Sequence, residues 1–308
     1  MLVAGRPASA SEPLSDLNAQ NARLAVNRKG EALVTYTRAD GTVRHVLVWG
    51  AINARPPTDS SVPQVHFHYD YTAGWGKYRK PRYWRTFRNA CRPYDGPGLV
   101  YEVAACKAPD GSYWALQSWQ RGLPLLGFKP WTEAQKAFEL HVSHWSGPLP
   151  QLNVGIHWTY GGSAVGVFGQ LTYDGQPVHG FHSTATGNPN DRYGRAVYID
   201  TQDSVYGPGW AREAGILVHS LNGTFCHSFV PQKPFPGYPD QNIRPAAPGS
   251  AYRLTVMGPG VTPVVQTLVA GLPGWTGSAS QQQTEHEALG LWDQFMNPDS
   301  RCAPEKGG

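Results

Sequence analysis

The sequence lacks the signals that assign many proteins to a class at once. It has no uninterrupted apolar run of about eighteen residues, so we expect no membrane-spanning helix. It has no C-x-x-C pair, which argues against a zinc knuckle or a thioredoxin-like redox site. It also lacks a P-loop, a G-x-G-x-x-G after a strand, H-E-x-x-H and C-x-x-C-H, which argues against nucleotide-dependent enzymes and c-type haem proteins.

Charged residues are scarce as well. They make up 16% of the 308 residues, against roughly 25% in an average soluble protein, whereas Gly (35) and Pro (27) are abundant. This composition favours many short strands joined by turns over a helical bundle. We therefore predict a mostly β protein, in which an antiparallel β-meander domain and an Ig-like β-sandwich are followed by one C-terminal α-helix.

Alternating apolar and polar residues indicate where the strands lie. Residues 22–26, 31–38 and 42–52 alternate and are separated by the turn sequences N-R-K-G and A-D-G-T, which predicts a three-stranded meander. Short alternating segments recur up to residue 270. Near the C-terminus, helical spacing predicts a helix that ends before Pro298 and whose apolar residues are Ala288, Leu291, Trp292, Phe295 and Met296.

These patterns divide the chain into four predicted parts. The sequence Ala8-Ser9-Ala10 fits a signal-peptidase site, so we interpret the N-terminal part as a leader or a signal-peptide remnant. A Pro- and Gly-rich segment near residue 130 predicts a domain boundary. The parts are residues 1–19 (leader), 20–130 (meander domain), 131–275 (sandwich domain, with a Pro-rich connector at 231–250) and 276–308 (helix and tail).

The four cysteines predict a secreted or cell-surface protein with two disulfides. Three connectivities are possible. We favour Cys91–Cys106 and Cys226–Cys302, because each pair joins neighbours in sequence order. An even cysteine count together with the Ala8–Ala10 pattern is typical of export to an oxidising compartment.

One segment, residues 169–200, carries a turn pattern of a known kind of module. Its order is a strand, then D-G-x-P-V-x-G, then a second turn of Asp and Gly before another strand; the matching residues are Asp174, Gly175, Pro177, Val178, Gly180, Asp191 and Gly194. In this the segment resembles the start of transthyretin-like or carboxypeptidase-regulatory-like β-sandwich modules. The resemblance implies an Ig-like sandwich with a binding or spacer role and brings no catalytic residues.

A metal site is one interpretation of the segment His66-x-His68-x-Asp70. Residues i and i+2 of a strand lie about 6.6–7 Å apart on one face, so His66 and His68 can converge on a divalent metal. Asp70 lies roughly 13 Å from His66 on a straight strand and cannot share that ion without a bulge. A further ligand must come from elsewhere, and the histidines considered are His45, His141, His144 and His157.

The basic loop, residues 71–95, is the strongest compositional signal. It contains seven cations and one acid and so carries +6, whereas the rest of the chain carries −2 against a total of +4. Arginines beside aromatic rings suit sulfate, carboxylate or phosphate groups on a polymer. We predict that charge is held by Arg79, Arg82, Arg85 and Arg88, and that Trp75, Tyr83 and Trp84 stack on the ligand.

Hydrolytic chemistry is the enzymatic alternative. Glu139, His141 and Ser143 share a strand face, but serine and histidine at i and i+2 are poorly placed for a nucleophile and its base, and no G-x-S-x-G elbow exists. A glycosidase needs two carboxylates about 5–9.5 Å apart, and candidates are Asp191, Asp200, Asp203 and Glu213.

The leading prediction is therefore a secreted, disulfide-bonded, non-catalytic protein that binds an anionic glycan or wall polymer. Nucleic acid is a less favoured partner in an exported protein. A metal- or carboxylate-dependent hydrolase of extracellular polysaccharide, using His66 and His68 or an acid pair, is one alternative. A structural subunit of a surface layer or filament is another. Apart from the possible divalent metal, no cofactor is predicted.

Overall fold

The structure is a computed structural model that describes residues 11–53, 65–120, 137–156, 166–177, 197–204, 207–212, 216–219, 224–228, 249–256, 258 and 260–296. Over these ranges the protein is mostly β, with several antiparallel sheets and a long helix near the C-terminus, as the sequence predicts. No described helix is both long and apolar enough to cross a membrane.

The strands and helices follow the predicted alternation closely. In the first half of the chain they are β1 (Glu12–Leu17), β2 (Gln20–Val26), β3 (Ala32–Thr37), β4 (Val43–Gly50), β5 (Phe67–Asp70), α1 (Trp75–Tyr78), a 3₁₀ helix (Tyr83–Thr86), β6 (Arg92–Pro93), β7 (Glu102–Lys107), β8 (Tyr113–Gln120) and β9 (Phe138–Trp145). In the second half they are β10 (Gln151–Gly155), β11 (Gly166–Tyr173), β12 (Gln176–Pro177), β13 (Val197–Ser204), β14 (Gly207–Arg212), β15 (Ile216–His219), β16 (Thr224–Ser228), β17 (Ala251–Val256), β18 (Val265–Ala270) and α2 (Ala279–Met296).

Two sheets pack face to face around the first hydrophobic core. One has the strand order β1-β9-β8-β7-β6 and the other the order β2-β3-β4-β5. Their inward side chains form one buried cluster that includes Val34, Val46, Trp114, Leu116 and Val142. Because side chains alternate along a strand, the period-2 pattern of the sequence places this apolar set on the inner face of each sheet.

A second pair of sheets encloses a separate core. Their orders are β10-β11-β16-β15, with β12 paired to β11, and β14-β13-β17-β18. Buried residues from both sheets, among them Leu171, Ile199, Phe225 and Leu254, form the cluster between them. The turn at Asp174-Gly175 joins β11 to β12 with positive φ angles of 50° and 70°, as the D-G sequence predicts. The rest of the resembling segment, residues 178–196, lies outside the described residues.

The sheet pairing differs from the predicted division of the chain in two places. Residues 12–17, assigned to the leader, form β1 and pair with β9, and Leu14 is buried in the first core. Strand β9, assigned to the sandwich domain that starts at residue 131, pairs with β8 of the meander domain. Both differences arise from long-range strand pairing, which local alternation does not reveal. The predicted boundary itself stays a prediction.

The cysteines agree with the predicted pairing where the structure describes them. Cys91 and Cys106 form a disulfide that ties the end of the basic loop to β7. Cys226 in β16 is also disulfide-bonded. Its predicted partner, Cys302, lies outside the described residues.

Candidate functional site

The basic loop begins with a carboxylate that organises its first turn. Asp70 at the end of β5 is buried and accepts hydrogen bonds from the backbone N–H groups of Thr72 at 2.8 Å and Lys77 at 3.0 Å. Burial alone would raise the pKa of Asp70, but these hydrogen bonds and one from the Thr72 hydroxyl lower it below its ordinary value. Asp70 therefore positions α1.

A second buried carboxylate, Glu31 immediately before β3, anchors the basic loop to the β2–β3 hairpin. Glu31 is 4% exposed. It accepts a hydrogen bond from Asn27 Nδ2 at 2.7 Å, pairs with Lys77 Nζ at 2.7 Å and accepts a further bond from the Tyr78 hydroxyl. Burial raises the pKa of Glu31, but the bonds from Lys77, Tyr78 and Asn27 lower it overall. The carboxylate is thus charged and fully engaged.

Aromatic packing fixes the middle of the loop. Tyr83 stacks on Tyr78 with ring centres 4.5 Å apart, and Trp84 stacks on His45 of β4 at 4.2 Å. The Arg85 guanidinium lies 5.1 Å from the centre of the Trp84 ring. One face of Trp84 is therefore covered from within the chain, which leaves less of this ring for the stacking role predicted from sequence.

Gly74 permits the close approach of Tyr83, and this leads to a first prediction. Gly74 has φ 98°, and a Cβ built on it would lie 2.4 Å from Cδ1 of Tyr83. Gly41 has φ 81° with nothing within 4 Å of such a Cβ, so it isolates the cost of the backbone conformation. We expect Gly74→Ala to lower the free energy of unfolding by about 2 kcal/mol more than Gly41→Ala does, because overpacking adds to the backbone strain. Equal losses of unfolding free energy for the two variants, measured by urea denaturation, would show that the close approach of Tyr83 to Gly74 does not contribute to stability.

Most cations of the basic loop are exposed and have no carboxylate partner. Lys77 pairs with Glu31 and lies 4.0 Å from the centre of the Trp49 ring. In the part of the chain that the structure describes, the other six form no ion pair: Arg79, Lys80, Arg82, Arg85, Arg88 and Arg92. Their charge is left facing solvent.

Behind the 3₁₀ helix the loop forms one wall of a cleft of about 770 Å³. The opposite wall is the turn between β2 and β3. We call this space the cationic cleft; its lining residues are Asn27, Arg28, Lys29, Tyr83, Thr86, Phe87, Arg88, Asn89, Ala90, Arg92 and Pro109. Four of them are cations and none is an acid. The residues that line the cleft therefore give it a positive electrostatic potential.

The structure brings together only part of the predicted ligand-binding set. Tyr83 and Arg88 line the cationic cleft, whereas the remaining predicted residues lie on the loop outside it: Trp75, Arg79, Arg82, Trp84 and Arg85. Sequence reasoning missed Arg28 and Lys29, because N-R-K-G was interpreted only as a turn. The signal available was two adjacent cations at the tip of a hairpin.

The histidines of the predicted metal site are both exposed: His68 lies in β5 and His66 immediately precedes this strand. His66 Nδ1 lies 2.9 Å from a Glu12 carboxylate oxygen, and the His68 ring lies 5.6 Å from that of Trp49. No group of three or more His, Cys, Asp or Glu side chains among the described residues is arranged to hold a metal ion. The other candidate ligands are engaged elsewhere or undescribed: His45 bonds to Thr35, His141 and His144 are buried, and His157 lies outside the described residues.

The hydrolase candidates are placed in structural roles where they are described. Glu139, His141 and Ser143 share a face of β9 as predicted, but all three are buried. Asp200 is 1% exposed and accepts hydrogen bonds from Nε of Arg253 at 3.0 Å and from Nη2 of Arg253 at 2.7 Å. Asp203 accepts hydrogen bonds from the Gly209 N–H and the Ser250 hydroxyl. Asp191 and Glu213 lie outside the described residues.

Comparison of the chain with protein-family models, curated proteins and solved structures found no significant match. The local resemblance of residues 169–200 to transthyretin-like modules thus remains a resemblance of sequence pattern. Any function must be argued from the basic loop and the cationic cleft themselves.

Proposed function

We propose that this protein is a secreted, non-catalytic binder of an anionic polymer outside the cell, such as a cell-surface glycan or a wall polymer. The observation that carries the proposal is the set of six exposed cations of the basic loop that form no ion pair within the described chain. Unpaired charges of one sign raise the local concentration of a polyanion and speed its association. The Cys91–Cys106 disulfide supports an oxidising compartment.

The way in which the loop is held also supports binding. The buried carboxylate of Asp70 accepts hydrogen bonds from backbone N–H groups of the loop, and that of Glu31 pairs with Lys77. Neither carboxylate pairs with an arginine of the loop. Because the backbone of the loop is already held by these contacts, less backbone conformational entropy is lost when a ligand binds. Guanidinium groups donate in a planar fork that matches sulfate, phosphate and carboxylate oxygens.

Salt-dependent retention on immobilised heparin tests the proposal. We expect Arg82→Glu to weaken retention about tenfold at fixed salt, because the change removes a cation and places an anion against the polymer. Arg23→Glu is the matched control, since Arg23 is an exposed cation of β2 outside the loop and the change in net charge is the same. Equal effects of the two variants, or wild-type protein that fails to bind, would refute the role of the loop.

A further inference from the structure

The cationic cleft is preformed by contacts between two segments far apart in sequence. The Ala90 N–H donates to the carbonyl of Val26 at 2.7 Å. The Asn89 side-chain oxygen accepts from the N–H groups of Val26 and Cys91, both at 3.0 Å. The Cys91–Cys106 disulfide holds the same wall against β7. The two walls therefore keep their spacing before any ligand arrives.

The side-chain acceptors that line the cleft are already used within the chain. Asn27 Oδ1 accepts from the N–H groups of Lys29 at 2.8 Å and Glu31 at 3.1 Å. The Thr86 hydroxyl donates to the Tyr83 carbonyl at 2.9 Å and accepts from Lys80 at 3.2 Å. The Asn89 oxygen is occupied by the two N–H groups described above. A ligand therefore meets few acceptors for its own hydroxyl or amine groups.

What the cleft offers instead is an excess of donors. The side chains of Arg28 and Arg88 form no hydrogen bond or ion pair within the described chain, and the Arg92 guanidinium bonds only to the carbonyl of Ala108, at 3.3 Å. Lys29 lies 5.3 Å from the centre of the Tyr78 ring and adds a fourth charge. Each guanidinium has five N–H donors and no acceptor. The matching ligand group is rich in anionic oxygens.

We propose that the cationic cleft binds a tetrahedral oxyanion ester, a sulfate or a phosphate, carried by a saccharide unit of the anionic polymer; this rests on the proposed function. A carboxylate presents two oxygens, whereas a sulfate or phosphate ester presents three terminal oxygens and so satisfies more of the donors. The volume of about 770 Å³ lies within the range of small-molecule sites, which suits one or two sugar units. Phe87 supplies an apolar surface for the sugar ring.

A saccharide fits this site better than a nucleic acid does. Single-stranded nucleic acids are held by exposed aromatic rings on which successive bases stack. Here Tyr83 is covered by Tyr78, and Trp84 by His45. Phosphate contacts remain open to a nucleic acid, but the stacking surfaces beside the cleft are largely occupied.

Calorimetric titration with short, defined probes tests the proposal. The probes are a sulfated tetrasaccharide, a phosphorylated tetrasaccharide, a tetragalacturonate that carries carboxylates only, and a four-nucleotide DNA strand. We expect saturable binding of at least one ester-bearing saccharide, weakened about thirtyfold by Arg28→Gln with Arg88→Gln, because two charged hydrogen-bonding groups are lost. The control is Arg23→Gln with Lys107→Gln, which removes the same charge outside both the basic loop and the cleft and is expected to change this binding less than threefold. Thermal unfolding of both variants establishes that they are folded.

The outcomes separate the cleft from the wider surface. If both double variants weaken the binding of the short probes equally while the wild-type protein is still retained on heparin, the cleft is not a site and the proposed function survives. If tetragalacturonate binds as tightly as the esters, the inference of an ester ligand is wrong, and tighter binding of the DNA strand overturns the saccharide. If the wild-type protein is not retained on the immobilised polymer, the proposed function itself fails. The relative affinity of the sulfated and the phosphorylated probe identifies the ester.

Discussion

Replacement of Glu31 by glutamine is expected to lower the free energy of unfolding by about 3 kcal/mol, because a buried carboxylate loses charge-assisted hydrogen bonds while the partly exposed Lys77 ammonium can still reach water. Glu31 is 4% exposed and receives the Lys77 ammonium, the Tyr78 hydroxyl and the Asn27 amide. The variant leaves Lys77 without its counter-charge. It changes the volume of the side chain very little, so the loss reports electrostatics and hydrogen bonding rather than a cavity.

The hydrogen bonds around Glu31 cannot adapt to an amide. If the new NH₂ group faces Asn27, two donors meet, and Asn27 cannot flip because its oxygen already accepts from the Lys29 and Glu31 N–H groups. If the NH₂ group faces the other way, it meets the Lys77 ammonium. In the first orientation the buried Asn27 amide loses its acceptor, which costs about 1–3 kcal/mol by itself, and in the second the partly exposed Lys77 ammonium loses its partner.

Urea denaturation measures the loss, and heparin retention measures its consequence for the basic loop. Glu102→Gln is the matched control, because Glu102 is an exposed acid of β7 and the chemical change is identical. We expect Glu102→Gln to change stability by less than about 0.5 kcal/mol. We also expect Glu31→Gln to weaken retention although it makes the protein more positive. Stronger retention by Glu31→Gln would mean that net charge, and not the geometry of the loop, governs binding.

The local part of the fold could be predicted from the sequence because it depends on period. Alternation in residues 31–38 and 42–52 predicts β3 and β4, and helical spacing near residue 290 predicts α2. The partner of a strand is a different matter. β1 pairs with β9 across more than a hundred residues, and its polar sequence gives no strong alternation. Such pairing is decided by burial on both faces of β9, which appears only when the sheets are assembled.

The candidate site was predictable in the same partial way. The cluster of arginines after β5 is contiguous in sequence, so composition alone reveals it. The cationic cleft is not contiguous in sequence, because Arg28 and Arg88 line the same space through the contacts of Val26 with Asn89 and Ala90. For the aromatic residues the sequence predicts more available surface than the structure has. Trp84 is predicted to stack on a ligand, yet His45 of β4 covers one face of its ring.

Acidification from pH 7.5 to 4.5 is expected to destabilise the protein through one buried histidine, His144. Its ring is 4% exposed and stacks on Trp114 at 3.9 Å. Nδ1 donates to the carbonyl of Ala51 at 2.6 Å, and Nε2 lies 2.9 Å from the Ser112 hydroxyl. Burial lowers the pKa of His144 from 6.5 to about 4, although the Ala51 carbonyl and the Asp110 carboxylate act in the opposite direction.

The direction of the pH effect follows from the two pKa values. In the unfolded chain the imidazole takes up a proton near pH 6.5, whereas in the folded protein it does so only near pH 4. Between these values the unfolded state binds more protons, so the free energy of unfolding falls as the pH falls. The loss of stability is negligible well above pH 6.5 and reaches roughly 3 kcal/mol below about pH 4, where both states are protonated. Burial lowers the pKa of His45 as well, which adds a loss of the same sign.

Urea denaturation of wild type and His144→Gln at pH 7.5, 6.0 and 4.5 separates His144 from other groups. The substitution lowers stability at every pH, but we expect the difference between pH 7.5 and 4.5 to shrink by at least about 2 kcal/mol, because the group that takes up the proton is gone. His45→Gln is the control and should remove only a minor share, since His45 is half-buried. The carboxylates with lowered pKa values, among them Asp70 and Glu31, lose their contribution mainly below their ordinary values of 3.8 and 4.5, outside this pH range. A His144→Gln variant with an unchanged pH dependence would show that His144 is already protonated in the folded state, with the Ser112 hydroxyl accepting from Nε2 and donating to Asp110.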